Sequence, residues 1–393
     1  MSLFLFVCWL LLSVPLAATE ISTGFMLGLP YDPQSFYIRT DAAAKWEKTY
    51  SSREYRTQAR GKLMNLRLAQ ALFHDEWMTE RPFDPRKNTD QVIEALDFYK
   101  AHGVLMINVS LQGGQAGYEK AVNSIDRQNG YRFGEEKGTY VSAFRPNGSL
   151  KPEWLARLER LLRAADDRGM IVNLMYFYQG QDEVFDSPGA IHTAAQNITD
   201  WLIAKQIRNV IIEVANEWDL QGDRWDFGGY IPENIIDLMR EIRSRFGRAG
   251  YKLPITASSD GRMNYPDSLS RVSDVILIHG NGRTLAQKMQ RAMDLKKAER
   301  PVLMNEDDNG RQATPENLVK ELASCDLFFE HAAGWGYMPW VQAQRFPFRY
   351  LPHDGDSEMA YFHDVLDHIA GLTLKKHPHP GRNRERGKPV ARR

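Results

Sequence analysis

The sequence has very little cysteine. Among 393 residues there are only Cys8 and Cys325, so a small fold held together by several disulfide bonds is excluded. The zinc-protease motif His-Glu-x-x-His, the hydrolase motif Gly-x-Ser-x-Gly, the Cys-x-x-Cys pair and the glycine-rich nucleotide loops are also absent. We therefore expect no cofactor and no catalytic metal.

The chain also lacks net charge, since 50 basic residues balance 50 acidic ones. The basic residues are concentrated at the end, where 374–393 carries Glu385 as its single acid. The remainder is mildly acidic, which argues against nucleic-acid binding, because phosphate contacts need a basic surface. The tail, poor in apolar residues, is predicted to be disordered; binding of a polyanion there is the less favoured alternative.

Only one long hydrophobic run is present, in residues 1–18. It is almost free of charge and ends at Ala17 and Ala18, as a secretory signal peptide does. It is shorter than the roughly 20 residues that span a bilayer. The sequence therefore predicts a secreted or periplasmic protein without stable membrane insertion, and whether the segment is cleaved or kept as an anchor stays open.

Short apolar runs alternate with amphipathic stretches along the rest of the chain, which is typical of strand and helix units around a parallel sheet. The predicted strands are Lys62–Ala71, Val104–Leu111, Ile171–Tyr178, Val210–Asn216, Pro254–Ser259, Asp274–Gly280, Pro301–Asp307 and Ala332–Trp340. The predicted helices are Asp90–His102, Pro152–Arg168, Ala190–Lys205, Pro232–Gly247, Leu285–Lys297, Pro315–His331 and Glu358–Ala370. Doubly wound sheets also alternate strand and helix, but a count of eight strands favours an α/β fold of the (β/α)8 TIM-barrel class over 61–373.

Two segments stand outside this alternation. Residues 19–60 precede the first strand and are expected to pack on the barrel, either as a cap at its bottom or as an irregular lead-in. Residues 112–150 form an insertion after the second strand that is long enough to line one side of a cleft.

Two glutamates end predicted strands at matching places. Asn216 and Glu217 close the fourth run, and Glu306 closes the seventh. The carboxyl ends of barrel strands form the active face of this fold, so the two carboxyl groups are expected to share a pocket. Glycoside hydrolysis needs such a pair, one protonated and one ionised. Glu213, on the same strand face as Glu217, is the rival for the first role and is expected beside Arg67.

This arrangement resembles clan A of the retaining glycoside hydrolases, with the layout of cellulase-like family 5, from about Lys62 to Ala370. The resemblance implies that Glu217 is the acid/base, that Glu306 is the nucleophile and that a carbohydrate is the substrate. It also implies a set of substrate-binding residues: Asn216, Arg67, His279, Tyr178, Trp340 and Gln342.

One departure from the family pattern occurs at His279. Family 5 commonly has His-x-Tyr there, and this chain has Asn281 in place of the tyrosine. Tyr176, Tyr178 and Tyr337 are the candidates to replace it. The departure motivates the alternative that the protein is a non-catalytic carbohydrate-binding barrel.

Overall fold

The structure is a computed structural model that describes residues 19–41, 43–49, 61–76, 83–113, 141–220, 224–307, 312–351 and 357–374. The predicted signal peptide, most of the predicted insertion and the basic tail beyond residue 374 lie outside the described residues. Within the described part of the chain, every helix is too short or too polar to cross a bilayer.

Eleven strands and eight α-helices are assigned in the described residues. The strands are β1 Glu20–Thr23, β2 Phe36–Arg39, β3 Glu47–Lys48, β4 Asn65–Arg67, β5 Met106–Ser110, β6 Ile171–Tyr178, β7 Val210–Asn216, β8 Ile255–Thr256, β9 Ile276–His279, β10 Val302–Glu306 and β11 Gly336–Tyr337. The helices are α1 Pro85–Ala101, α2 Pro152–Asp166, α3 Pro188–Ala204, α4 Asp226–Arg248, α5 Asp267–Ser270, α6 Leu285–Leu295, α7 Pro315–His331 and α8 Ser357–Thr373.

Strands β4 to β11 form a closed parallel barrel. Six of them are hydrogen-bonded in the order β11-β4-β5-β6-β7-β8, and β9 pairs with β10. A bridge between Ser258 and Leu277 joins β8 to β9. On the other side, the Ala333 N–H donates to the Val302 carbonyl (2.7 Å) and so joins β10 to the segment that enters β11. All eight predicted strands are present, and the predicted (β/α)8 class is confirmed.

Local sequence signals explain where most helices begin. Pro152, Pro188 and Pro315 occupy the first helical turn, where the missing proline N–H costs no hydrogen bond. The side chains of Ser187 and Thr314 cap the helices that follow them. These signals fixed the start of α2 and α7 correctly in the prediction.

Two predicted helix starts were wrong by five residues or more. Helix α1 begins at Pro85 and not at Asp90, because the Asp84 carboxylate accepts hydrogen bonds from the first-turn N–H groups. Helix α4 begins at Asp226, six residues before Pro232, and bends through Phe227 to Gly229, where φ is positive. The short α5 was not predicted, because four residues are too few for an amphipathic pattern.

The N-terminal segment forms an antiparallel sheet in the order β1-β2-β3. The Thr19 N–H donates to Asp166 at the end of α2 (2.6 Å), and Gln34 donates to the carbonyl of Lys296 after α6 (2.8 Å). Both acceptors lie on connections that lead into the beginnings of barrel strands. This sheet therefore covers the face of the barrel opposite to the strand ends that carry Glu217 and Glu306.

Candidate active site

Glu217 is held at the mouth of the barrel by an unusual backbone conformation. It follows the last residue of β7 with φ of 50°, in the left-handed region that residues with a side chain seldom adopt. Two hydrogen bonds from this turn reach β8: Glu217 N–H donates to Ser258 Oγ and Trp218 N–H donates to the Ser258 carbonyl, both at 3.0 Å. The strained turn is thus anchored to the neighbouring strand, which fixes where the carboxyl group points.

Glu306 reaches the same mouth because β10 is irregular. Its pairing with β9 shifts between Met304 and Glu306, which places Glu306 opposite His279. In a regular strand consecutive side chains face opposite sides of the sheet. Here Asn305 contacts Glu213 inside the barrel (3.2 Å) while Glu306 contacts Arg67. The register shift therefore brings two successive polar side chains to the interior.

Arg67 and His279 connect the two glutamates. Arg67 Nε lies 2.6 Å from Glu306 Oε2 and forms an ion pair with it. His279 Nδ1 lies 3.0 Å from Glu217 Oε1 and 3.6 Å from Glu306 Oε2. Both basic side chains are almost fully buried, whereas the carboxyl side chains of Glu217 and Glu306 are 14% and 9% exposed. The glutamates are therefore the groups that a ligand can reach.

The electrostatics of this group favour charge on both basic residues. Burial lowers the pKa of His279, but attraction to Glu306 and the hydrogen bond to Glu217 outweigh burial, and the pKa is raised. Burial also opposes the charge of Arg67, and the negative charge of Glu306 more than compensates, which raises the pKa of Arg67. The charge of Arg67 stabilises the ionised form of Glu306, whereas His279 faces both carboxyl groups and lies nearer to Glu217.

Gln179 is a site residue for which the sequence analysis proposed no role. Its Nε2 donates to Glu217 Oε2 (2.7 Å), and its Oε1 accepts from Asn216 Nδ2 (2.8 Å). Asn216 Oδ1 in turn accepts from Arg67 Nη2 at 2.8 Å. The chain of contacts fixes the amide orientations of Gln179 and Asn216. Gln179 directly follows the barrel strand β6, and this position at a strand end could have identified it as a site residue from the sequence.

Asn281 occupies the place of the missing tyrosine and makes a contact of its own. Its Nδ2 donates to Glu306 Oε1 at 2.6 Å. Together with Arg67 on Oε2, this bond gives each oxygen of the Glu306 carboxylate a donor. The departure from His-x-Tyr therefore leaves Glu306 with a neutral hydrogen-bond donor at that position.

Of the three tyrosines considered as replacements, only Tyr178 lies in the site. The Arg67 guanidinium is 6.0 Å from its ring centroid. Burial and the neighbouring glutamates raise the pKa of Tyr178 to about 12 although Arg67 opposes them, so its hydroxyl keeps its proton. Tyr176 directs its hydroxyl to Thr199 on α3 (3.3 Å), and Tyr337 packs against Trp335 and Phe362.

The two predicted substrate contacts after β11 differ in their surroundings. Trp340 begins a short π-helical turn, Trp340–Gln344, and is partly exposed. Gln344 in this turn donates to the Arg67 carbonyl at 2.5 Å, which ties the turn to the mouth of the barrel. Gln342 is buried and donates to the carbonyl of Glu358 on α8 (2.7 Å). The turn thus directs the amide nitrogen of Gln342 to α8, and a contact of Gln342 with the substrate stays a prediction.

Glu213 lies one layer deeper and does not pair with Arg67 as expected. It is fully buried and accepts from Asn173 Nδ2 (2.5 Å) and Asn305 Nδ2 (3.2 Å). Burial raises the pKa of Glu213, although the nearby charges of Arg67 and His279 oppose that effect. Burial therefore outweighs the hydrogen bond from Asn173, which by itself favours the ionised form of Glu213.

A cation could be considered at this site, because Glu217, His279 and Glu306 each offer a ligand atom within 4.8 Å of the other two. The positive charge of Arg67 already lies 2.6 Å from Glu306, so a metal ion would have to compete with it. The next residue, Asp307, forms a buried ion pair with Lys288 of α6 at 2.7 Å. Asp308 lies outside the described residues.

The fold of the chain is shared with solved glycoside hydrolases. PbGH5A, a glycoside hydrolase family 5 enzyme from Prevotella bryantii B14, matches at TM-score 0.50 and 11% identity over 81% of this chain and 98% of that one. The endo-β-mannanase/endo-β-glucanase PbGH26A-GH5A of Prevotella bryantii matches at TM-score 0.53 and 11% identity. That match covers 81% of this chain and 50% of the other, so the chain spans about half of that longer protein.

A third similar structure is the exo-β-1,4-mannosidase Op5Man5 from Opitutaceae bacterium strain TAV5, with TM-score 0.49 and 15% identity over 85% of this chain and 67% of that one. No family model and no curated protein sequence matches the chain. At such low identity the likeness establishes a barrel fold of the kind that clan A glycoside hydrolases have, in agreement with the predicted resemblance.

Proposed function

We propose that the protein is a retaining β-glycosidase in which Glu306 is the nucleophile and Glu217 the acid/base. One observation carries the proposal: a carboxylate oxygen of Glu217 and one of Glu306 lie within 4.8 Å of each other at the open end of the barrel. Retaining enzymes hold their two carboxyl groups about 5–5.5 Å apart, whereas inverting enzymes need roughly 6.5–9.5 Å to admit a water molecule.

The unlike surroundings of the two glutamates support the division of roles. Glu306 is contacted by the Arg67 cation and by the Asn281 amide, which favour an ionised carboxylate. Glu217 is contacted by the neutral amide of Gln179 and by His279. In the first step Glu306 attacks the anomeric carbon, the glycosidic C–O bond breaks, and the leaving oxygen takes the proton of Glu217.

In the second step Glu217, now ionised, removes a proton from water, and the resulting hydroxide displaces Glu306 from the sugar. The net configuration at the anomeric carbon is retained. His279 lies 3.0 Å from Glu217 and carries a raised pKa, so it is placed to share a proton with Glu217 in both steps. Asn216, whose side-chain amide is fixed by Gln179 and Arg67, is placed to contact the sugar beside the bond that breaks.

The test is turnover of a panel of β-linked glycans and aryl β-glycosides. β-Mannans and β-glucans come first, since the name of one solved barrel of this fold, the endo-β-mannanase/endo-β-glucanase PbGH26A-GH5A, includes both activities. Glu217→Gln and Glu306→Gln should each lower kcat/KM by at least about 10³-fold, within the range attributed to catalytic carboxyl groups. With an activated aryl glycoside, azide should restore Glu217→Ala and give a β-glycosyl azide.

Glu213→Gln is the matched control for these substitutions, because it changes a buried carboxyl group of the same strand outside the pair. The proposal fails if Glu217→Gln and Glu306→Gln keep wild-type turnover. Binding of a glycan without turnover across the whole panel would support the non-catalytic alternative.

We also propose that the protein is exported after removal of residues 1–18. The support is the apolar sequence of that segment. Expression of the full-length chain followed by N-terminal sequencing of the exported protein tests this, and a chain that stays inside the cell with Met1 intact contradicts it.

A further inference from the structure

A cluster of metal-ligating side chains lies on the outside of the barrel, where the first and last of its helices meet. His102 directly follows α1, and His363 and Asp367 are one helical turn apart on α8. Residues four apart lie on the same face of a helix, so His363 and Asp367 face the same neighbour. That neighbour is the end of α1, because closure of the barrel brings α8 back beside α1.

The three side chains converge on one point. Asp367 Oδ1 lies 3.5 Å from His102 Nε2, and Asp367 Oδ2 lies 3.3 Å from His363 Nδ1. One ligand atom from each residue lies within 4.8 Å of the other two. In a tetrahedral zinc site, with bonds of about 2.0–2.2 Å, neighbouring ligand atoms are roughly 3.3–3.5 Å apart. Each of the two separations, one to each oxygen of Asp367, is close to that spacing.

The imidazole of His102 is also oriented for metal binding. Its Nδ1 lies 2.7 Å from the Phe98 carbonyl, and its ring packs on the Phe98 ring with centroids 4.2 Å apart. An Nδ1–H that donates to a backbone carbonyl fixes the tautomer in which Nε2 carries the lone pair, as is usual for histidine ligands of metals. In His102 that Nε2 is the atom that faces Asp367.

We propose that His102, His363 and Asp367 bind a divalent transition-metal ion, with Zn²⁺ the best match to two imidazole nitrogens and one carboxylate. The side chains of His363 and Asp367 are 43% and 60% exposed, so water has access to the fourth position. The bound ion would link α1 to α8 at the seam that closes the barrel. Its effect is on stability and not on turnover, so it is independent of the proposed function.

The test is zinc binding by the full-length protein without a histidine tag, freed of metal by a chelator. Calorimetric titration with Zn²⁺ should show a site that is weakened at least tenfold in His363→Gln, in Asp367→Asn and in His102→Gln. At one hundred times the Kd, Zn²⁺ should raise the Tm of the wild type by roughly 3–5 °C, and this shift should be lost in the variants.

His368→Gln is the matched control. His368 lies on the same helix and pairs with Asp326 at 2.7 Å, but no third ligating residue joins that pair within the described ranges. This variant should bind Zn²⁺ as the wild type does, and equal turnover in all four variants would show that they are folded. The proposal is wrong if the wild type shows neither binding nor a Tm shift, or if His363→Gln and Asp367→Asn bind as tightly as the wild type.

Discussion

Replacement of Asn281 by alanine tests the organisation of the site most locally. Asn281 is partly exposed, and its Nδ2 donates to Glu306 Oε1 at 2.6 Å. Alanine removes this donor without adding charge or volume. Arg67 and His279 still face Oε2 in this variant, whereas the donor that Asn281 supplies to Oε1 is lost. We expect kcat/KM to fall because the nucleophile loses its fixed direction of attack.

The size of the effect follows from the charge on the acceptor. A hydrogen bond to an ionised group contributes about 1.5–3 kcal/mol. If the whole of that contribution is lost in the transition state, kcat/KM falls by about 10- to 150-fold. The loss of a donor also destabilises the ionised carboxylate, so the acidic limb of the pH profile of kcat/KM should move to higher pH. A purely structural role would leave that limb where it is.

The assay is the pH dependence of kcat/KM for an aryl β-glycoside that the wild type turns over. Asn234→Ala is the matched control, since that asparagine donates to the Tyr230 carbonyl on α4, outside the site. Asn281→Asp, which places a second carboxylate beside Glu306, should be worse than Asn281→Ala. An Asn281→Ala protein with wild-type kcat/KM and an unmoved acidic limb would refute the reasoning.

Three further predictions concern charge in the barrel. The folded state raises the pKa of His279, so the stability that the protonated imidazole contributes is complete below about pH 6.5 and is lost as pH rises through the folded-state pKa. Urea unfolding from pH 5 to 9 should show this loss in the wild type but not in His279→Gln. Glu213→Gln should keep kcat/KM within about threefold, because Glu213 is buried between the amides of Asn173 and Asn305 and lies outside the catalytic pair, whereas Glu217→Gln should not. Lys288→Met removes the cation of the buried pair with Asp307 and should lower the free energy of unfolding by about 3–5 kcal/mol. The control Lys297→Met, at an exposed position, should change the free energy of unfolding by less than about 0.5 kcal/mol.

The barrel could be predicted from the sequence because each strand and most helices carry local signals. Strands such as Ile171–Tyr178 are continuous apolar runs, and prolines mark the first turn of several helices. These signals depend on neighbours in sequence, which is why the eight strands of the barrel were predicted correctly. The start of α4 was missed because Phe227 to Gly229 adopt positive φ angles, and the sequence of this bend has no apolar periodicity.

The sequence predicted only those residues of the site that stand at or directly after the ends of barrel strands. Glu217, Glu306 and Arg67 end barrel strands and do lie together. The register shift in β10 and the left-handed turn at Glu217 depend on contacts between strands, and no short-range pattern encodes such contacts. For the same reason the sequence did not show that Gln342 contacts α8.

The roles of the polar neighbours had to come from geometry. The hydrogen bonds that Gln179 donates to Glu217 and Asn281 donates to Glu306 could be assigned only from distances. Asn281 in particular stands where the family pattern has tyrosine, and in this structure its amide donates to Glu306 Oε1.

The central claim is that Glu306 forms a covalent bond to the sugar, and trapping of that intermediate tests it most directly. The protein would be incubated with an activated 2-deoxy-2-fluoro β-glycoside of whichever sugar it turns over, digested, and mapped by mass spectrometry. The account predicts one glycosyl adduct per chain, on Glu306, and none in Glu306→Gln. An adduct on another residue, or α-configured first products with no adduct, would contradict it.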